Sequence, residues 1–165
     1  MNRDDYPLLA FILSLLLALL LQALALPDAI APFRPLLLAL TLGYWAVYAP
    51  DMPVLLTAWL LGLCCDVLYG APLGQYALGL VTVAYAARSL SGTVLAFPLW
   101  QATLALIPVW ALYIFLMFWI DGLTHHPADA LRRWLPLLTT SLLWPLATGL
   151  LGSIRNRRRR SGLLP

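Results

Sequence analysis

The stretch GLCCDVLYGAPLG, residues 62–74, decides how this chain folds. Its acid, Asp66, is the only charged residue between Met52 and Ala87. A charge inside a membrane is costly, by about 2.5–3.5 kcal/mol on insertion scales, so it normally has a partner. The glycines and proline that follow Asp66 indicate a sharp turn between two apolar segments. Asp66 is therefore an active-site acid, a transport site or a structural contact, and the rest of the chain must distinguish these.

The composition around this stretch is that of a membrane protein. The chain has 165 residues, of which 62% are hydrophobic and 10% are charged, against about 25% charged residues in soluble domains. Water could not solvate such a surface, so lipid must be the main solvent. The sequence therefore predicts a single transmembrane domain over residues 1–165, with no separate soluble domain.

Apolar runs predict the helices of this domain. About 20 apolar residues cross the hydrocarbon core as a helix, and six runs approach that length. We interpret the first run as a transmembrane helix rather than a signal peptide, because Asp4 and Asp5 precede it and it is longer than a usual signal h-region. We predict an all-α, polytopic membrane protein whose six transmembrane helices form a compact bundle. The predicted spans are residues 7–26, 33–49, 53–69, 72–89, 98–120 and 134–154.

Arginine placement predicts the orientation. A basic tail, residues 155–165, follows the sixth span, and positively charged residues favour the cytoplasmic side. With an even number of spans, the N- and C-termini both lie in the cytoplasm; five spans with a different N-terminal side are the alternative. The predicted cytoplasmic anchors are Arg155, Arg157, Arg158, Arg159 and Arg160.

The depth of Asp66 can be compared with that of Arg34 in the preceding span. Asp66 follows Pro53 by 13 residues, about 20 Å along a helix, and Arg34 precedes Pro50 by 16 residues, about 24 Å. Because the two spans are antiparallel neighbours, the charges lie at nearly the same height. We therefore predict an ion pair, direct or through a hydroxyl or water. The alternative is that Arg34 extends outward to the lipid headgroups.

Three glycines near Asp66 predict close packing and a turn. Gly62, Asp66 and Gly70 recur every four residues and so share one helix face. Gly62 offers a flat surface to a neighbouring helix. Gly70 and Gly74 let the chain turn at the outer edge and let the fourth helix start tightly packed.

The sequence carries no convincing catalytic or metal-binding pattern. Asp66 has no second acid nearby in sequence, and no histidine lies inside a span. Nucleophile, metalloprotease and phosphate-loop motifs do not occur. His125 and His126 are adjacent, so they do not share a helix face as an i, i+4 metal pair would, and a solvated loop is expected. We predict no enzyme activity, no metal, no cofactor and no nucleic-acid partner.

Short motifs in a fixed order give the chain a family resemblance. They are Leu21-Gln22, Phe33-Arg34-Pro35, Tyr44-Trp45, Gly62-x3-Asp66-x3-Gly70-x2-Leu73-Gly74, Leu99-Trp100-Gln101, Leu143-Trp144-Pro145 and the basic tail. Each motif alone is weak, but in order, spacing and chain length they resemble the MreD family of rod shape-determining membrane proteins. The loop with His125 and His126 is not part of the pattern.

The resemblance implies a non-enzymatic scaffold in the bacterial inner membrane. MreD-family proteins are expected to bind MreC, and to link MreB filaments to peptidoglycan synthesis by RodA and its penicillin-binding transpeptidase. The family fold is expected to be similar to the S components of vitamin transporters, so a small-molecule or lipid-binding module is the alternative function. The candidates for partner contact or internal packing are Tyr44, Trp45, Trp100, Gln101, Trp144 and Pro145.

Overall fold

A computed structural model of the chain describes residues 5–24, 27, 30–123 and 132–160. Within these residues the chain is all-helical, with no strand. The α-helices are α1 (Asp5–Ala23), α2 (Leu37–Tyr48), α3 (Val54–Tyr69), α4 (Gln75–Ser89), α5 (Ser91–Ala96), α6 (Leu99–Leu123) and α7 (Leu135–Arg160), and two 3-10 helices cover Ala31–Phe33 and Arg132–Trp134.

The helices α1 to α4, α6 and α7 fall on the six apolar runs, and the short α5 was not predicted. α2 begins later than the run at residues 33–49, because Pro35 disfavours helical backbone at Arg34. α7 continues through the basic tail to Arg160, since arginine is a good helix former. Two segments, Leu99–Leu123 and Arg132–Ser153, are long and apolar enough to cross a membrane, and Leu8–Ala23 and Val54–Tyr69 are shorter apolar helices. The six-span arrangement therefore stays a prediction.

α2 is the centre of the bundle. Every residue from Leu38 to Val47 is buried, as expected for a helix that is apolar on all sides. α1, α4 and α7 pack against it. By contrast, α1 leaves a broad row of leucines exposed, among them Leu13, Leu17 and Leu20. Such a large apolar surface indicates lipid rather than water around α1.

α6 and α7 pack against each other through two tryptophans. Trp110 and Trp144 are fully buried, and their ring centroids lie 5.9 Å apart. Each ring lies close in sequence to a proline inside its helix, Pro108 in α6 and Pro145 in α7. The bulky rings fill the space between these two helices.

Candidate functional site

The turn between α3 and α4 is closed by its own backbone hydrogen bonds. α3 ends at Tyr69, and Gly70 has the left-handed φ of 62°. The Ala71 N–H donates to the Asp66 carbonyl at 2.9 Å, and the Gly70 N–H donates to the Val67 carbonyl at 3.4 Å. This is the Schellman arrangement, which ends many helices and normally uses glycine. The turn that the glycines predict is therefore present, and Gly74 (φ 99°) provides its second left-handed residue.

The carboxylate of Asp66 caps the helix that follows this turn. Its Oδ2 accepts from the Gly74 N–H and its Oδ1 accepts from the Tyr76 N–H, both at 2.7 Å. Asp66 is only 1% exposed, so these bonds and the positive end of the α4 dipole stabilise its charge in place of water. Asp66 thus holds the start of α4 against the end of α3.

α3 and α4 approach each other backbone to backbone at Gly62. A Cβ at this position would lie 2.5 Å from the Ala77 backbone nitrogen and 2.9 Å from the Tyr76 carbonyl carbon. No side chain fits at those distances without a shift of one helix. Gly62 therefore lies at a close backbone contact between α3 and α4, the kind of contact that small residues permit between membrane helices.

Arg34 and Asp66 have separate hydrogen-bond partners. Nη2 of Arg34 donates to the Leu24 carbonyl at 2.5 Å and to the Leu21 carbonyl at 3.4 Å, at the C-terminal end of α1, where a cation is favourable. The contacts described for the two side chains include no direct ion pair between them, so the direct form predicted from depth does not occur. The physical reason is that α4 offers Asp66 unpaired N–H groups at closer range. The indirect form stays a prediction.

The N-terminus of α2 is capped by side chains from two other helices. The Leu38 N–H donates to Gln22 Oε1, and the Leu36 N–H donates to Thr140 Oγ1, both at 2.9 Å. The Tyr69 hydroxyl donates to the Gln22 carbonyl at 3.0 Å. These bonds join α1, α2, α3 and α7 at the end of the bundle where the Asp66 turn lies. Sequence reasoning missed them, although Gln22 belongs to a family motif.

The six candidates for partner contact or packing fall into two groups. Three are buried and pack inside the bundle: Tyr44, Trp45 and Trp144. Trp100 is 63% exposed, Pro145 is also exposed, and Gln101 is partly exposed. Of the six, only this second group presents surface to another molecule.

A cavity of about 440 Å³ lies beside the Asp66 turn. It is bounded by the ends of α1, α3 and α6 and by the starts of α4 and α7. Asp66 is not among its lining residues, because its carboxylate is turned to the α4 backbone. The polar lining residues are Gln22, Tyr69, Gln75, Tyr76, Tyr113, Asp121 and Arg133.

A polar network on the cavity wall leaves two atoms unpaired. Gln75 Nε2 donates to Asp121 Oδ1 at 2.6 Å, and Nη2 of Arg133 forms an ion pair with Asp121 Oδ2. Gln75 is 5% exposed, yet its Oε1 has no hydrogen-bond partner, and neither has the buried Nη1 of Arg133. Buried polar atoms are normally paired, so this network is incompletely satisfied.

Some predicted features lie outside the described residues. His125 and His126 are among them, and for the arginines at positions 155–160 only the helical backbone of α7 is described. Within the described part of the chain, no group of three or more His, Cys, Asp or Glu side chains is arranged to hold a metal ion.

Comparison with known proteins gives a match over nearly the whole chain. The family model described as rod shape-determining protein MreD matches residues 2–154. This range contains the Asp66 turn and every polar residue that lines the cavity. No solved structure matches the chain, so the expected similarity to S components stays a prediction.

Proposed function

Because the chain belongs to the MreD family of rod shape-determining proteins, we propose that it is a non-enzymatic scaffold of the machinery that builds the lateral cell wall. A role in rod shape determination follows from the family itself. The finer proposal is that the protein binds MreC and links MreB filaments to peptidoglycan synthesis by RodA and its penicillin-binding transpeptidase. The observation that carries it is the family match over residues 2–154.

The proposed setting is the bacterial inner membrane, which α1 to α4, α6 and α7 cross with both termini in the cytoplasm. α2 has 12 residues and is about 18 Å long, against about 30 Å of hydrocarbon. Its flanking residues and local thinning of the bilayer must complete that crossing. The basic tail then lies at the cytoplasmic surface, where anionic lipid attracts each arginine by about 1 kcal/mol.

The proposed docking surface for the transmembrane helix of MreC is the outward face of α6 around Trp100. Packing inside the bundle accounts for the buried motif aromatics, but it does not account for Trp100, which is 63% exposed. Leu104, one turn further along, is exposed as well. Large aromatic side chains are the commonest anchors of protein interfaces, so Trp100 is the residue of this face from which we expect most binding energy.

Co-purification from detergent-solubilised membranes tests the scaffold and its docking face together. We expect Trp100→Ala to reduce the MreC recovered by about tenfold, the effect of a contact worth about 1.4 kcal/mol. Trp59→Ala on α3 is the matched control, because Trp59 is also exposed, at 49%. If the unaltered chain recovers no MreC under mild conditions, the scaffold proposal is wrong. If both variants recover MreC equally, the α6 face is wrong and the scaffold proposal stands.

A second function, binding of a small molecule or lipid, is favoured by the cavity beside Gln75 and Arg133. The two functions are compatible because they use opposite ends of α6. Trp100 is near its first residue and Asp121 is near its last, about 30 Å away along the helix axis.

A further inference from the structure

The cavity at the Asp66 turn is lined by one charge of each sign. The side chains of Asp121 and Arg133 both line it, and they are 17% and 24% exposed. We propose that the cavity binds a zwitterionic phosphoethanolamine group, with the ammonium beside Asp121 and the phosphate beside Arg133. The proposal rests on the second function above, binding of a small molecule or lipid, and names the chemical class of its ligand.

The side of the cavity around Asp121 suits a primary ammonium. α3 and α6 both end here, and the negative ends of their dipoles add to the charge of the carboxylate. The Tyr69 hydroxyl donates to the Gln22 carbonyl at 3.0 Å, so its oxygen can still accept a hydrogen bond. The ring centroids of Tyr69 and Tyr76 lie 5.2 Å apart on the cavity wall, and an aromatic ring attracts a cation within about 6 Å of its centroid.

The side of the cavity around Arg133 suits a phosphate. Arg133 lies two residues before α7 begins at Leu135, and Pro136, in the first turn of α7, also lines the cavity. The positive end of the α7 dipole therefore adds to the charge of the guanidinium, and a phosphate is favourable at such a helix start. The attraction is to this charge as a whole, because Nη1 of Arg133 is enclosed by protein and is out of reach of a ligand.

The ion pair between Asp121 and Arg133 disfavours ligands that carry a single charge. Because the two side chains are joined, a lone phosphate near Arg133 also meets the carboxylate, and a lone ammonium near Asp121 also meets the guanidinium. A zwitterion laid antiparallel to the ion pair places each of its charges beside the opposite charge of the protein. Specificity of this kind comes from the repulsive member of the pair.

The volume and the position of the cavity suit a lipid headgroup. Its volume of about 440 Å³ lies in the range of about 300–1,000 Å³ usual for small-molecule sites. It lies at helix ends and has tyrosines in its wall, as is typical of the level of the headgroups. Leu36, Ile114 and Met117 supply an apolar part of the wall for the carbon atoms of the ligand. Phosphatidylethanolamine and free phosphoethanolamine are both sources of this chemistry.

Binding of lipids with identical acyl chains to the full chain tests the proposal. The protein is purified in tetraethylene glycol monooctyl ether, which carries neither a phosphate nor an amine. It is offered dioleoyl phosphatidylethanolamine, dioleoyl phosphatidylglycerol or dioleoylglycerol, and native mass spectrometry measures the bound lipid. We expect phosphatidylethanolamine to bind about tenfold more tightly than either of the others, a difference of about 1.4 kcal/mol, because only this lipid presents both charges.

Free phosphoethanolamine separates the two sources of the ligand. It is offered to the same preparation without lipid, and saturation-transfer NMR measures its contact with the protein. Binding of the lipid alone identifies a lipid headgroup as the ligand, and binding of the free compound identifies a soluble zwitterion. Both results support a zwitterion site.

The variant Asp121→Asn tests the assignment of the ammonium. It keeps the shape of the side chain but leaves the charge of Arg133 unbalanced, so the preference for phosphatidylethanolamine over phosphatidylglycerol should fall by about tenfold. A purely structural role of Asp121 would weaken the binding of both lipids alike. Asp51→Asn is the matched control, because Asp51 lies in the turn before α3 and does not line the cavity, and it should keep the preference.

The variant Arg133→Gln tests the assignment of the phosphate. Removal of the positive charge should weaken the binding of phosphatidylethanolamine by about tenfold. Arg132→Gln is the matched control, since it removes a charge from the neighbouring residue, which does not line the cavity. This control should bind the lipid as the unaltered chain does.

Three outcomes overturn the proposal: neither phosphatidylethanolamine nor free phosphoethanolamine binds, phosphatidylglycerol binds as tightly as phosphatidylethanolamine, or Asp51→Asn lowers the preference as much as Asp121→Asn. Failure of every probe would remove the second function as well, whereas binding of phosphatidylglycerol or dioleoylglycerol alone would leave that function with a different ligand. Should Asp121→Asn fail to fold, the lipids offered to the unaltered chain and the two arginine variants still decide the result. MreC recovery from the same preparations separates this site from the scaffold.

Discussion

Two acids at the same end of the bundle, Asp66 and Asp121, bind different kinds of partner: backbone N–H groups in one case and side chains in the other. Asp66 is buried, and both of its oxygens accept backbone N–H groups at the start of α4. The Asp121 side chain is 17% exposed and binds the side chains of Gln75 and Arg133 on the cavity wall. The isolated acid that stands out in the sequence serves the fold, whereas the acid at the end of α6 belongs to a candidate binding site.

The difference comes from the kind of partner. Backbone N–H groups at a helix start are fixed by the helix itself, so the Asp66 turn is complete without any further group. Side chains such as Gln75 and Arg133 have more polar atoms than Asp121 can pair, and one atom of each is left buried without a partner. Both oxygens of Asp66 are paired, whereas the network around Asp121 leaves two buried polar atoms unsatisfied, and incomplete pairing of buried polar groups is costly.

The largest effect is expected for Asp66→Ala. The N–H groups of Gly74 and Tyr76 lose their acceptor, and each unsatisfied buried group costs about 1–3 kcal/mol, so the free energy of unfolding should fall by about 2–6 kcal/mol. Equilibrium unfolding in mixed dodecyl maltoside and SDS micelles measures it. Asp66→Asn keeps one acceptor oxygen and should lose about half as much. If Asp66→Ala is no worse than Asp121→Asn, the contrast between the two acids is wrong.

The next effect is expected for Gly62→Ala. The new methyl group meets the Ala77 backbone, which cannot rotate away as a side chain can, so α3 and α4 must separate at a cost of about 1–3 kcal/mol. Gly149→Ala on α7 is the matched control, because nothing lies within 4 Å of its added Cβ. This control should be neutral or stabilising, since alanine favours a helix over glycine by about 1 kcal/mol. The same unfolding assay compares the two, and equal stability would exclude the backbone contact.

The helices and the turn could be predicted from the sequence, because both depend on local composition. Apolar runs give α1 to α4, α6 and α7, and glycines next to a proline give the turn after α3. The partner of Asp66 could not be found by comparing the depths of charged side chains. The N–H groups that bind Asp66 belong to the backbone and carry no residue-specific signal. The useful signal was positional. Asp66 lies one turn before the end of α3, and the second glycine after it, Gly74, precedes the first residue of α4.

The cavity could not be predicted from the sequence for a different reason. Gln75, Asp121 and Arg133 come from α4, from the end of α6 and from the 3-10 helix before α7. Only the packing of these elements brings them together, and no spacing rule relates them. Polar residues are expected at the ends of membrane spans, where they meet the headgroup region. The sequence alone therefore could not separate these three residues from other interfacial residues.

A smaller effect is expected for Gly70→Ala. Gly70 has a φ of 62° and open space around its Cβ position, so the cost is conformational and not steric. A left-handed non-glycine residue costs about 1–2 kcal/mol, and the free energy of unfolding should fall by that amount. Gly70→Asn should recover part of the loss, because asparagine tolerates this conformation better. If alanine and asparagine behave alike, backbone strain does not explain the glycine.

The smallest effect on stability is expected for Asp121→Asn. Its ion pair with Arg133 is partly exposed, at 17% and 24% for the two side chains, and such pairs contribute about 0.2–1 kcal/mol. The amide oxygen of asparagine can still accept from Arg133, so the loss in the unfolding assay should be at the lower end. Asp51→Asn, in the exposed turn before α3, is the matched control for removing one negative charge. A loss as large as that of Asp66→Ala would mean that the cavity network supports the fold as the Asp66 turn does, and the unpaired atoms of Gln75 and Arg133 would then be a by-product of packing.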